Sequence, residues 1–394
     1  MVRLGLYLHP FDLPGLASAG GMGFLRELGY TDLSLAVAYH AGRWLVPRRG
    51  GGMVRFLEDG TVHFRTRGAY GALAPRPSAL VPASGPDPLA EFLAQAGAAG
   101  ITPAAWTVLF HNSRLGRAHP GETVRNAFGD AYTYGLCPMR PAVRAYGEAL
   151  CAELAGRPGL AVLELEAAGA FGHKHSSHHD KSSFTPEAPA DFLLSYCFCD
   201  TCRGRLAAAG MDPEALAAAV RGILEERFVD ADAMADASLA WDRLDVVLGR
   251  ERVQRMIALR AEGLCATLDG LARAAGGPAR VLLHHAGDPC STGSSLGIAT
   301  AALRGRVAAR VVTHYGDGPE RIAAAWQGEP QDAVPTWLAI WPRAPHFRSD
   351  GDLRRVAALA RSRGCAGIRI YHLGLLPMAT VARAARVLCE ALRG

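Results

Sequence analysis

Between Cys137 and Cys202 the sequence gathers four thiols, two carboxylates set in an apolar run and four imidazoles. The thiols include the tight cluster Cys197-Phe198-Cys199-Asp200-Thr201-Cys202. Such spacing lets one turn offer three ligands to a tetrahedral metal ion, with the fourth supplied from elsewhere. The carboxylates lie in Val162-Leu163-Glu164-Leu165-Glu166. As a strand, this run points Leu163 and Leu165 to one side and Glu164 and Glu166 to the other. A carboxylic acid held at the open end of such a strand suits proton transfer to or from a substrate oxygen. The imidazoles, His173, His175, His178 and His179, crowd a Gly/Ser/Lys-rich loop directly after Glu166. That loop reads as a lid binding an anionic group or a second divalent metal, or equally as a solvated polar tract.

These groups need a scaffold, and the chain shows a regular one. Period-two alternation predicts strands over 2–9, 32–40, 101–111, 160–166, 280–285, 310–315, 334–341 and 366–372, each followed by helical pattern. Eight βα units in one chain predict a single α/β domain over 1–394, a (β/α)8 TIM barrel. Two long insertions interrupt it. One, 41–88, contains Met53–Phe64, which reads as a hairpin turned at Asp59-Gly60. The other, 169–248, holds the His-rich loop, the cysteine cluster and Ala-rich helices.

Barrel enzymes place their chemistry at the C-terminal strand ends, and here those ends are polar. Tyr7 and His9 close the first strand, His40 the second, and His111-Asn112 the third. Glu166 ends the fourth, with Glu164 one layer deeper and facing Arg369 of the eighth. His284, His314, Trp341 and Tyr371 end strands five to eight. Trp337 and Trp341 share a face and offer an apolar stacking platform for a ligand ring, or simply core. Asp288 and Asp317, just beyond strands five and six, are candidate general bases on water.

One segment carries a more specific likeness. Cys137-Pro138-x-x-Pro141-x-x-Arg144-x-Tyr146, then a strand ending in Glu, then Cys-x-Cys-x-x-Cys before a helix, resembles the glycoside hydrolase family 42 β-galactosidases. The resemblance implies a structural zinc ion bound by Cys137, Cys197, Cys199 and Cys202. It also implies that Glu166 stands where the family keeps its acid/base glutamate. The motifs cover about residues 136–205. Two departures stand out. Leu165 replaces the family's Asn before that glutamate, and strand seven, Trp337 to Trp341, offers no carboxylate where the family has its nucleophile.

Composition narrows the rest. The 394 residues are 49% hydrophobic and 20% charged with a net charge of +5, as in ordinary globular proteins. Arginines are scattered over helices rather than clustered, which speaks against nucleic acid. No apolar run is long enough to span a membrane. The N-terminal segment lacks a secretory h-region, and nine cysteines without a disulfide pattern fit a reducing compartment, so the cytoplasm is expected. Self-association is left open. Three functions remain: a glycosidase-like hydrolase using Glu166 and a displaced second group, an isomerase, epimerase or lyase using Glu166 with His284 or His314, and a carbohydrate-binding relic.

Overall fold

The computed structural model describes residues 2–18, 20–47, 52–174, 181–232, 234, 238–327 and 334–393. Among them, eight parallel strands close on themselves: β1 (Arg3–Leu8), β2 (Asp32–Tyr39), β3 (Thr102–Val108), β4 (Val162–Glu166), β5 (Val281–Ala286), β6 (Ala309–His314), β7 (Thr336–Ile340) and β8 (Gly367–Ile370). Each pairs with its sequence neighbours, and β1 pairs with both β2 and β8, which makes the barrel.

Alternation sorts the side chains as the apolar pattern requires. Leu4, Leu6, Leu33, Leu35, Leu163, Leu165, Leu283, Leu338 and Ile368 face outward into the layer shared with the helices. That layer includes helices Pro88–Ala98, Pro141–Ala155, Asp350–Ser362 and Met378–Arg393. Asp87 starts the first of these by accepting the Ala90 N–H at 2.9 Å, with Pro88 in the first turn. Inward-facing positions are small at the bottom, where the Trp337 ring forms a floor. A Cβ on Gly367 would lie 2.2 Å from that ring, so the β8 position opposite must be glycine.

The first insertion differs from the sequence expectation. Val54–Leu57 does not fold onto Thr61–Val62 across Asp59-Gly60. It pairs antiparallel with Gly42–Leu45, while Thr61–Val62 adds to the end of β2 and takes Arg76–Pro77 on its other side. Gly60 still turns the chain in the left-handed region (φ 59°), beneath an Asn112 side chain that would meet any Cβ there at 2.0 Å. The exposed edge of β2 competed successfully for the Thr61–Val62 segment.

The second insertion builds its own small core. Helices Ala188–Ser195, Asp200–Ala208 and Pro213–Phe228 pack Phe192, Leu193, Leu216, Val220 and Leu224 against Leu244, Val253 and Met256. A two-stranded ribbon, Thr123–Arg125 with Ala131–Leu136, lies between β3 and Pro141–Ala155 and leads straight into Cys137. No helix of the described residues is long and apolar enough to cross a membrane.

Candidate active site

The barrel interior is organised around Glu164, which is fully buried. It accepts hydrogen bonds from the Tyr7 hydroxyl and the Ser34 hydroxyl, and pairs with His284 Nε2 at 3.0 Å and Arg369 Nη2 at 3.4 Å. Arg369 Nη1 also donates to Ser34 Oγ at 2.8 Å, which closes the ring of partners. Burial pushes the Glu164 carboxyl up, but Arg369 and His284 outweigh it and hold the group at about 2. Glu164 is therefore held as an anion, with both oxygens engaged.

Glu166, one layer higher, has a different setting. Its side chain is 15% exposed, and Trp106 Nε1 donates to its Oε2 at 2.7 Å. His284 Nδ1 stands 4.0 Å from the same oxygen. Burial lowers the His284 imidazole, yet Glu166 and Glu164 together raise it above its ordinary value. The next residue, Ala167, adopts φ 55°, uncommon for a residue with a Cβ. Its N–H donates to Ser294 O at 2.9 Å and its carbonyl accepts from Phe110 N at 3.0 Å, so the turn that follows Glu166 is held from both sides.

Aromatic rings cluster near Glu166. Tyr315 stacks on Tyr371 at 4.2 Å, and Trp341 meets Tyr371 edge-on at 5.3 Å. Arg343 lies 3.8 Å over the Trp341 ring. Tyr39 packs on Trp106 at 4.9 Å and hydrogen-bonds the Tyr371 hydroxyl. On the β1–β2 side, His9 sits among Phe11, Trp44 and His63 at 4.2, 5.7 and 4.6 Å. Neither His9 ring nitrogen has a hydrogen-bond partner among the described residues, and burial, with His63 and His372 nearby, pushes its pKa well down. His63 is pushed down to about 3 by burial. A separate groove of about 740 Å³ runs along the outside of this corner, between Pro10–Leu16 and Val46 and Arg55, and contains none of the groups around Glu166.

The structure thus gathers Glu164, Glu166, Tyr7, His284, Arg369, Trp341 and Tyr371 in one place, with His9 at its side. Other candidates lie elsewhere. His314 faces the helix layer: its Nδ1 meets Asp317 at 2.9 Å and its Nε2 accepts from Trp326 Nε1 at 3.0 Å. Asp317 is shared with Arg321 at 3.2 Å. Asp288 is exposed and accepts the Cys290 N–H of its own turn at 2.8 Å. Asn112 caps helix Ser113–Ala118 through the Leu115 N–H, at 2.9 Å. Trp337 is the barrel floor beneath the Arg369 guanidinium, 4.5 Å away, too deep to be a platform. His111 packs between His40 and Phe171 at 4.6 and 4.9 Å. His173 is exposed, its N–H donating to Ser195 Oγ at 2.9 Å. His175, His178 and His179, and the second metal expected there, lie outside the described residues.

Sequence reading saw Tyr315 only as the polar end of strand six beside His314, and missed Trp106, Tyr39, Trp44 and His63. Trp106 and Tyr315 obey simple alternation, with Val108 and Val311 on their faces. Tyr39 does not. A bulge between Ala36 and Ala38 puts Val37 and Ala38 both outward and returns Tyr39 to the interior. Trp44 and His63 come from the first insertion, where no period marks an inward face.

The cysteine cluster is a second, separate site. The sulfurs of Cys137, Cys197, Cys199 and Cys202 all lie within 4.8 Å of one another, a set that could hold a metal ion. Cys137 Sγ lies 3.7 Å from Cys197 and 3.8 Å from both Cys199 and Cys202. A tetrahedral thiolate site with metal–sulfur bonds near 2.3 Å has sulfur–sulfur edges of about 3.8 Å. The ribbon ending at Leu136 presents Cys137, and the start of helix Asp200–Ala208 presents Cys199 and Cys202. The Arg125 and Cys199 N–H groups each donate to Cys197 Sγ at 3.5 Å.

No family model matches the sequence, and no curated protein matches it significantly. Solved structures do match its fold. The glycoside hydrolase domain of PgaB (BpsB) from Bordetella bronchiseptica superposes with a TM-score of 0.54 at 13% identity, over 97% of this chain and 98% of that one. The catalytic domain of β-amylase from Paenibacillus polymyxa gives 0.53 at 8%, over 99% and 98%. β-Galactosidase from Bacillus circulans sp. alkalophilus gives 0.54 at 12%, over 99% of this chain and 56% of that chain. The chain spans 49% of the length of α-L-fucosidase isoenzyme 2 from Paenibacillus thiaminolyticus and 59% of a β-galactosidase from Marinomonas ef1. At these identities the likeness is one of fold.

Proposed function

We propose that this chain is a glycoside hydrolase-type enzyme acting on a sugar or glycoside, with Glu166 as its general acid/base. One observation supports it above the others. Glu166 is a partly exposed carboxylate at the C-terminal mouth of a barrel, with one oxygen held by Trp106 and the rings of Tyr39, Tyr315 and Tyr371 close enough to feel its charge. As a carboxylic acid Glu166 donates its proton to the departing glycosidic oxygen, and as a carboxylate it then takes one from water. Trp341, Tyr371 and Tyr315 supply the faces on which a sugar ring packs. Fold likeness to glycoside hydrolase domains agrees with this reading, as does the partial likeness to family 42.

Screening aryl glycosides and comparing the wild type with Glu166→Gln tests it. The variant should lose roughly 10²–10⁴-fold in kcat/KM at an unchanged melting temperature. Full activity in the variant would remove Glu166 from the mechanism. A second reading, proton transfer in an isomerase or epimerase, draws on the line Glu164–His284–Glu166, with gaps of 3.0 and 4.0 Å. It predicts exchange of a substrate C–H with solvent deuterium, which hydrolysis does not.

The cysteine set fits zinc, which Cys137, Cys197, Cys199 and Cys202 would hold as a purely structural ion. Four thiolates leave no position for water or substrate, so the ion would fasten the second insertion to the barrel and stay out of the reaction. The proposed domain is the whole chain as one barrel with two insertions, and its free thiols suit a reducing compartment such as the cytoplasm.

A further inference from the structure

Among the described residues, the carboxylates near the strand ends other than Glu166 already have partners. Glu164 is enclosed by Tyr7, Ser34, His284 and Arg369. Asp317 is turned outward with His314 and Arg321. Asp288 belongs to its own turn, and Asp12 accepts the His9 N–H at 2.9 Å. Glycoside hydrolysis by two carboxylates needs a partner roughly 5–5.5 Å from the acid as nucleophile, or 6.5–9.5 Å away as base. Among the described residues the wall beside Glu166 is instead made of phenols and indoles: Tyr39, Tyr315, Tyr371 and Trp341. The Trp341 indole nitrogen is buried with no hydrogen-bond partner among them. This wall of flat rings and N–H and O–H donors, with the Arg343 guanidinium over Trp341, offers no carboxylate to activate water among the described residues. It is well suited to a planar, neutral amide carrying a methyl group.

We infer that the substrate brings its own nucleophile: a 2-acetamido-2-deoxy sugar, cleaved at Glu166 with help from its acetamide. This rests on the glycosidase reading above and specifies its substrate class. The acetamide carbonyl oxygen attacks C1 while the C1–O bond to the leaving group breaks, and Glu166 gives its proton to that departing oxygen. The product is a cyclic oxazolinium ion and a Glu166 carboxylate. Water then adds to C1, the C1–O bond to the acetamide breaks, and Glu166 regains a proton. The acetamide is restored, and configuration at C1 is retained. Trp341 Nε1–H and the Tyr315 hydroxyl act as positioning groups that donate to the acetamide oxygen, and the Tyr371 ring takes its methyl group. The buried Glu164 anion lies beneath the positive charge that develops.

The test uses the full-length wild type and two substrate series, 4-nitrophenyl 2-acetamido-2-deoxy glycosides and the matching 2-hydroxy glycosides, as both anomers of the gluco and galacto sugars. The acetamido series should be favoured by about 10²-fold or more in kcat/KM, because the nucleophile is intramolecular. Replacing N-acetyl by mono-, di- and trifluoroacetyl weakens the carbonyl oxygen, so kcat should fall stepwise along the series without any mutation. A thiazoline analogue of the sugar should inhibit competitively. Trp341→Phe should lower kcat on acetamido substrates, with KM and the pH profile little changed. Preference for 2-hydroxy substrates, a flat response to fluorination, or a glycosyl-enzyme trapped by a 2-fluoro sugar would overturn the inference while leaving Glu166 as the acid. So would abolition of turnover by Asp180→Asn, a carboxylate outside the described residues. Failure of the wild type to cleave either series would remove the glycosidase reading itself.

Discussion

Glu164 and Glu166 sit two residues apart on one face of β4, yet their surroundings give them opposite work. Glu164 has donors on every side and no solvent, so it is an anion that holds other groups. Glu166 has one hydrogen-bond donor and is partly exposed. Glu164→Gln should therefore be a stability mutant. It leaves Arg369 and His284 without their counter-ion, a loss on the order of 3–5 kcal/mol, and the denaturant midpoint should drop accordingly. An unchanged midpoint would mean that the buried ring contributes no net stability. A second prediction concerns the neutral imidazoles of His9 and His63. Unfolding lets both take protons near the ordinary value of 6.5, whereas folded His63 does so only at about 3. The stability from keeping them neutral is complete above 6.5 and is lost as pH falls toward 3. Glu164 adds a loss in the same direction below its ordinary 4.5. The raised His284 works the other way, stabilising below 6.5 and losing that effect as pH rises through its folded value. Melting temperature should thus decline between pH 7 and 4 less steeply in His63→Phe than in the wild type. Equal slopes would show that His63 is not buried neutral. At this scale alternation in the sequence was a good guide: it turned Glu164, Glu166, Tyr7, His284 and Arg369 inward together. At the end of β6 it also turns Tyr315 inward and His314 outward, and the choice of His314 followed residue type instead of face.

Elements explain the remaining misses. A strand shows its faces through period two, and a single bulge resets the count, so Tyr39 reads as outward until the pairing of β2 with β3 is known. The first insertion has a deeper difficulty. Asp59-Gly60 is a good turn signal, but which strand its flanks join depends on the free edge of β2 and on Gly42–Leu45, neither of which lies in the local sequence. Trp44, carried on that ribbon, reaches within 4.7 Å of His372 and helps cover the β8–β1 corner. The cysteine cluster was the opposite case. Its spacing is local for Cys197, Cys199 and Cys202, and the distant Cys137 was reached only through family likeness. If the site holds zinc, purified protein should contain about one zinc per chain by elemental analysis. Cys199→Ser should lower both the metal content and the melting temperature. Wild-type protein free of metal would refute the zinc assignment.

For the molecule as a whole, the eightfold βα rhythm was legible because apolar alternation repeats whatever the residues at the mouth are doing. The second insertion was visible only as a length and a composition, and its private core around Phe192 and Val220 emerges from contacts between helices far apart in sequence. The Glu164 ring has a further consequence, for where this chain tolerates being cut. Its partners lie 157, 130 and 120 positions away, at Tyr7, Ser34 and His284, and Arg369 is farther still. A break between β4 and β5 would leave the anion in one fragment and both of its cations in the other. Neither half could settle alone without a buried, uncompensated charge, so half-barrel fragments of this protein should be obligate partners rather than independent folding units.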